Sequence, residues 1–206
     1  MPRAVPHVPP PLTGPLILWL LPQLLMLGVC AGGLTWSRAQ PLPADRLTLH
    51  LVVSVQIIVL FLLFPMLLNG WRKVVVIAAA SGPIWVAAMI LSGMGWPAML
   101  SSAGYVLLWM AALWPAALNL KNTRTQLHAC TLASIWLGIG PLLWYLRAES
   151  GVNAKLSTWS PLTAVLGLLN DPNQVSPFAI PLAVALLAGV IFLIRRRFIE
   201  NQITSH

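Results

Sequence analysis

The sequence predicts an all-α, polytopic integral membrane protein: a bundle of six transmembrane helices with one short additional helix between the fifth and the sixth. Two observations carry this. Of 206 residues, 58% are hydrophobic and only 8% are charged, against about 25% charged in a soluble domain. The apolar residues also fall in blocks of the length needed to cross a hydrocarbon core of ~30 Å. That composition excludes a secreted disulfide scaffold, a disordered tail and a nucleic-acid binder, although the net charge is +8. Transmembrane barrel strands are excluded too, because they alternate in short runs whereas these blocks are apolar on every face.

The first span covers residues 15–34. It follows Arg3 and the cluster Pro9-Pro10-Pro11, an extended lead-in. It is longer than the 7 to 15 residues usual in a signal-peptide core and lacks a small-x-small cleavage site, so it reads as a mature helix. Leu27-Gly28-Val29-Cys30 loosely matches a lipoprotein box, but Val29 stands where a small residue is wanted. The second to fifth spans cover 50–69, 74–94, 99–119 and 128–146. The last covers 177–194 and ends in Arg195-Arg196-Arg197, which reads as an anchor reaching to anionic headgroups. Between the fifth and sixth, Ser160-Pro161 is a strong helix start, with a capping hydroxyl followed by Pro at the first helical position. The apolar stretch that follows stops at Asn170-Asp171-Pro172 and is too short to span, so it is expected to be re-entrant or interfacial. Residues 1–14 then form a proline-rich cytosolic tail, 15–194 the membrane domain and 195–206 a basic cytosolic tail.

Orientation follows from the basic residues. With the amino terminus inside, Arg3, Arg72, Lys73, Lys121, Arg124, Arg195, Arg196 and Arg197 are cytosolic, and Arg38, Arg46, Arg147 and Lys155 lie on the other side. This asymmetry favours cytoplasmic termini in a cell inner membrane.

No Asp, Glu, Lys or Arg falls inside a span, which argues against an ion-coupled carrier or a channel with a charged ring. His50 begins the second span and His128 the fifth, on opposite sides, so they cannot jointly hold a haem; a lone axial ligand is a weaker reading than an interfacial histidine. Cys30 and Cys130 are separated by most of the bilayer and cannot bridge. No cofactor or metal is expected. Gln23, Ser54, Gln56, Thr131 and Ser134 read as groups that bond across helices. Gly28 and Gly32 form a GxxxG spacing, echoed by Ala78 with Gly82 and Ala88 with Ser92, and mark close helix contacts within the chain or with another one. Trp36, Trp71, Trp96, Trp144 and Trp159 form an interfacial belt, while Trp19, Trp85, Trp109, Trp114 and Trp136 lie deeper, in packing or along a conduit.

Six spans with both ends inside, a short helical excursion after the fifth, Ser-Pro-Leu-Thr at Ser160 to Thr163 and a closing Arg195-Arg196-Arg197 resemble the membrane subunit of ATP-binding-cassette exporters. These include drug, polysaccharide and lipid exporters and the haem-exporter permease of cytochrome c maturation. The resemblance implies alternating access in a homo- or hetero-oligomer, driven by a separate ATP-binding subunit. It implies that Arg72, Lys73, Lys121 and Arg124 contact that subunit, and that the excursion, with Trp159, Pro161, Leu162 and Leu166, forms an outer gate. Two features differ from such permeases: a proline-rich tail stands in place of an interface helix, and the cytosolic loop between the second and third spans is only Gly70-Trp71-Arg72-Lys73.

The competing expectation is a non-catalytic structural or assembly subunit of a larger membrane complex, for which short loops and GxxxG spacing suffice. An enzyme is not expected, since HExxH, GxSxG and paired intramembrane carboxylates are all missing from the sequence.

Overall fold

The computed structural model describes residues 13–36, 44–120, 122–150, 160–170 and 176–204. All seven elements are helices: α1 (Thr13–Trp36), α2 (Ala44–Leu67), α3 (Trp71–Ser92), α4 (Trp96–Asn119), α5 (Thr123–Ser150), α6 (Pro161–Asn170) and α7 (Ser176–Thr204). There is no strand among the described residues. Five of the helices are long and apolar enough to cross a membrane, over Thr13–Gly32, Thr48–Leu67, Trp71–Ser92, Trp96–Asn119 and Ser176–Ile194. The chain is thus a helical, multi-pass membrane protein.

Local chemistry sets the ends of these helices. Gly93 closes α3 in the left-handed region at φ 60°, where a residue with a Cβ is strained. Pro97 sits in the first turn of α4, where a missing N–H costs nothing. Asn122 caps α5, its Oδ1 accepting from the Arg124 N–H at 3.0 Å. That cap explains why α5 begins at Thr123, a turn before the apolar block that suggested a span from residue 128.

The bundle is organised around α2, which packs on α1, α3, α4, α5 and α6. Of its apolar window 56% is buried, against 11% for α1 and for α7, so α2 is the axis and those two lie at the periphery. On one side of α2, α1 and α3 also pack on each other; on the other side α4 is joined by α7. The consecutive helices α4 and α5 meet through Trp109 and Trp136, with ring centroids 5.2 Å apart, and α2 packs on both. The short α6 is enclosed by α2, α4, α5 and α7. Outward-facing Leu21, Leu25, Leu132, Leu186, Leu187 and Ile194 remain exposed, as expected of side chains that meet lipid tails.

Candidate functional site

Two clusters bring intramembrane polar groups together. The first joins α1, α2 and α3. Gln56 Nε2 donates to Gln23 Oε1 at 2.7 Å, and the Trp85 indole N–H donates to Gln56 Oε1 at 2.7 Å. Gln23 Nε2 in turn donates to the Trp19 carbonyl at 2.6 Å, and the Trp19 indole donates to Ser81 Oγ at 2.9 Å. Ser81 closes the chain on its own helix through the Ile77 carbonyl at 2.9 Å. Gln23, Gln56, Ser81 and Trp19 are all fully enclosed, so each amide oxygen, amide nitrogen and indole in this layer is buried with a partner.

The second cluster surrounds the start of α6. Pro141 lies inside α5 and has no N–H, so the carbonyl four residues earlier, that of Leu137, lacks its helical donor. The Ser160 hydroxyl supplies one, donating to Leu137 O at 3.1 Å. Beside it, the Tyr105 hydroxyl donates to the Pro161 carbonyl at 3.1 Å. Leu137 is midway along α5, ~20 Å from either end at 1.5 Å per residue. The start of α6 therefore lies deep in the bundle. Ser160, Pro161, Thr163, Ala164, Val165 and Leu168 are all buried. Rings of Phe61, Tyr105, Trp109, Trp136 and Phe178 meet edge to face around this region, with centroids 4.9 to 6.3 Å apart. The Trp109 indole N–H has no hydrogen-bond partner among the described residues, although its side chain is 1% exposed.

The candidate gate residues are thus placed in part. Pro161 is buried and Leu162 half-buried. Leu166 lies on α6. Trp159 falls outside the described residues. Of the candidate partner contacts, Arg72 and Lys73 open α3 and Arg124 opens α5. Arg72 is exposed with its guanidinium 5.6 Å from the Trp71 ring centroid, Lys73 Nζ reaches the Met66 carbonyl at 3.4 Å, and Arg124 is exposed. Lys121 falls outside the described residues. Near Arg72 and Arg124 in the chain, Asn69, Ala117, Leu118, Leu120 and Gln126 line a shallow cleft of about 320 Å³.

Gly28 and Gly32 are exposed, and a methyl group built at either would meet nothing within 4 Å among the described residues. Ala88 and Ser92, in contrast, are buried. Of the tryptophans placed at boundaries, Trp71 and Trp96 are exposed; of the deep ones, Trp19, Trp85 and Trp109 are buried in packing. Thr131 and Ser134 bond to carbonyls of their own helix rather than across the bundle. His128 Nδ1 pairs with the Arg124 carbonyl at 2.6 Å, and Cys30 and Cys130 are free.

Sequence reasoning missed Ser81, Tyr105 and Leu137. For Leu137 a signal existed, since a proline within a helix always opens the carbonyl four residues before it. No protein-family model, curated protein or solved structure matches the chain.

Proposed function

We propose that this chain is the transmembrane permease subunit of an ATP-driven exporter in a cell inner membrane, with both termini cytoplasmic and ATP hydrolysed by a separate subunit. The observation that supports it is α6: a ten-residue apolar helix enclosed by four longer helices, its start bonded to the midpoint of α5. On this reading α5 is the fifth of six spans, long enough at 28 residues to cross. α6 is then a re-entrant segment closing the outer half of the bundle, with Pro161, Leu162 and Leu166 in the gate.

At the opposite end Arg72, Lys73 and Arg124, together with Lys121 that precedes α5 in the chain, would offer an acidic surface of the ATPase a set of cations. Gly28 and Gly32, exposed on the peripheral α1, suit close approach of a helix from a second copy or a sister subunit. ATP binding and hydrolysis outside the membrane would then tilt α2 and α3 through their joining turn at Leu68–Gly70. Because α2 touches α6 directly, that tilt is felt at the gate.

The test is purification from native membranes in nanodiscs, with mass spectrometry of the co-purifying chains. Stoichiometric recovery of an ATP-binding subunit, lost in the double variant Arg72→Glu with Lys73→Glu, is the expected result. Recovery of redox or assembly subunits without an ATPase overturns it. That outcome would favour a structural subunit, a second reading supported by the fully paired Gln23–Gln56 layer, which ties three helices together without leaving a polar group for cargo.

A further inference from the structure

We propose that the start of α6 is a hydrogen-bonded latch, seated on the carbonyl that Pro141 opens in α5, and that its release uncovers a path from the outer side into the centre of the bundle. The sidedness and the purpose of that path rest on the exporter reading; the latch itself does not.

A carbonyl without a donor in an apolar core costs free energy, and in lipid no water is at hand to satisfy it. A helix interrupted by proline therefore creates a specific demand at one place. Ser160 meets that demand from a different element, 23 residues on in the chain. Ser160 is 1% exposed, so the bond is shielded from solvent. Tyr105 on α4 holds the adjacent residue through the Pro161 carbonyl, so two helices grip successive residues, Ser160 and Pro161, at the start of α6. Both bonds are between neutral groups. Parting them strands no charge, and entering water can satisfy every atom involved.

The rest of the α6 seat is suited to separation as well. Among the residues of α6 whose side chains are described, those buried beyond the latch are Thr163, Ala164, Val165 and Leu168, none with an aromatic ring and all able to part without breaking a stacked contact. The Trp109 indole lies beside the latch, its ring centroid 6.3 Å from that of Tyr105. The closed state is paired within the protein at the latch, and the open state is equally paired with water. Two states of that kind can interconvert.

The experiment reads the accessibility of α6 in the full chain. With Cys30 and Cys130 replaced by alanine, Ala164→Cys places a thiol at a position that is 4% exposed. Its labelling by a membrane-impermeant maleimide is followed in sealed vesicles with the outer face outward. Ser160→Ala and Tyr105→Phe are each expected to raise the labelling rate at least threefold. In a Pro141→Ala background, where residue 141 regains its N–H and pairs with Leu137, Ser160→Ala is expected to add little further, because the demand it met no longer exists.

Unchanged labelling in both single variants, whichever face of the vesicle is outward, overturns the latch; an increase seen only in inside-out vesicles overturns the outer-side path that rests on the exporter reading. Ala88→Cys, at a fully buried site on α3, reports general loosening. Should it also become reactive, Ser160→Thr, which keeps the hydroxyl, must restore the protection of Ala164→Cys, and failure to do so overturns the proposal. None of these readouts needs an ATPase or a cargo, so the latch can fail while the exporter reading stands, and the reverse.

Discussion

Gln56 is the residue on which three helices converge. Its amide accepts from Trp85 on α3 and donates to Gln23 on α1, while it belongs to α2. Replacing it with leucine leaves the Trp85 indole and Gln23 Oε1 enclosed without those partners, and a net loss of about 1–2 kcal/mol is expected. Unfolding in mixed micelles, followed by tryptophan fluorescence, measures it. Gln23→Leu is expected to cost a similar amount, and the double variant less than the sum of the two, since both remove the same bond. That Gln23 and Gln56 bond across helices was legible from their position in apolar blocks. Their partners were not. An indole counts as apolar in any hydropathy pattern, so nothing in the sequence marked Trp19 and Trp85 as donors, and Ser81 looks like any small residue of a membrane helix. The latch was half legible: Ser160-Pro161 declared a helix start, but the carbonyl that Ser160 would find depends on how α5 and α6 meet.

Among the elements, burial decides where a cavity hurts. Leu60 on α2 is fully enclosed, and Leu60→Ala is expected to destabilise the bundle by about 2–5 kcal/mol. Leu186 on α7 is 63% exposed, and Leu186→Ala is expected to be close to neutral because that side chain meets lipid in either state. The same micelle unfolding compares the two. Gly93→Ala is expected to cost about 1 kcal/mol, because the closing residue of α3 must keep φ at 60°. Five of the expected spans were legible because a long apolar run in lipid must satisfy its backbone internally and so must be helical. Which span sits at the centre was not. α2 and α7 are similar apolar runs, and only packing distinguishes the helix wrapped by five others from the one at the rim.

For the molecule as a whole, eight basic residues on one side against four on the other predict orientation. A phosphatase reporter fused after His206 is expected to be inactive, and one inserted at Gly95, between α3 and α4, active; the reverse pattern would invert every assignment of inner and outer. The division of the bundle about α2 has a consequence for how the protein is made. Every bond of the Gln23–Gln56 layer closes among residues 19 to 85. When α3 leaves the ribosome, the first three helices hold all the donors and acceptors that this layer needs, before α4 has been synthesised. They can leave the insertion machinery as a unit that seeks no further polar partner, offering the free side of α2 as the template on which α4 to α7 assemble. Biogenesis then proceeds in two stages with a natural seam at Gly93–Gly95, and two polypeptides divided at that seam and produced together in one cell would be able to find each other in the membrane.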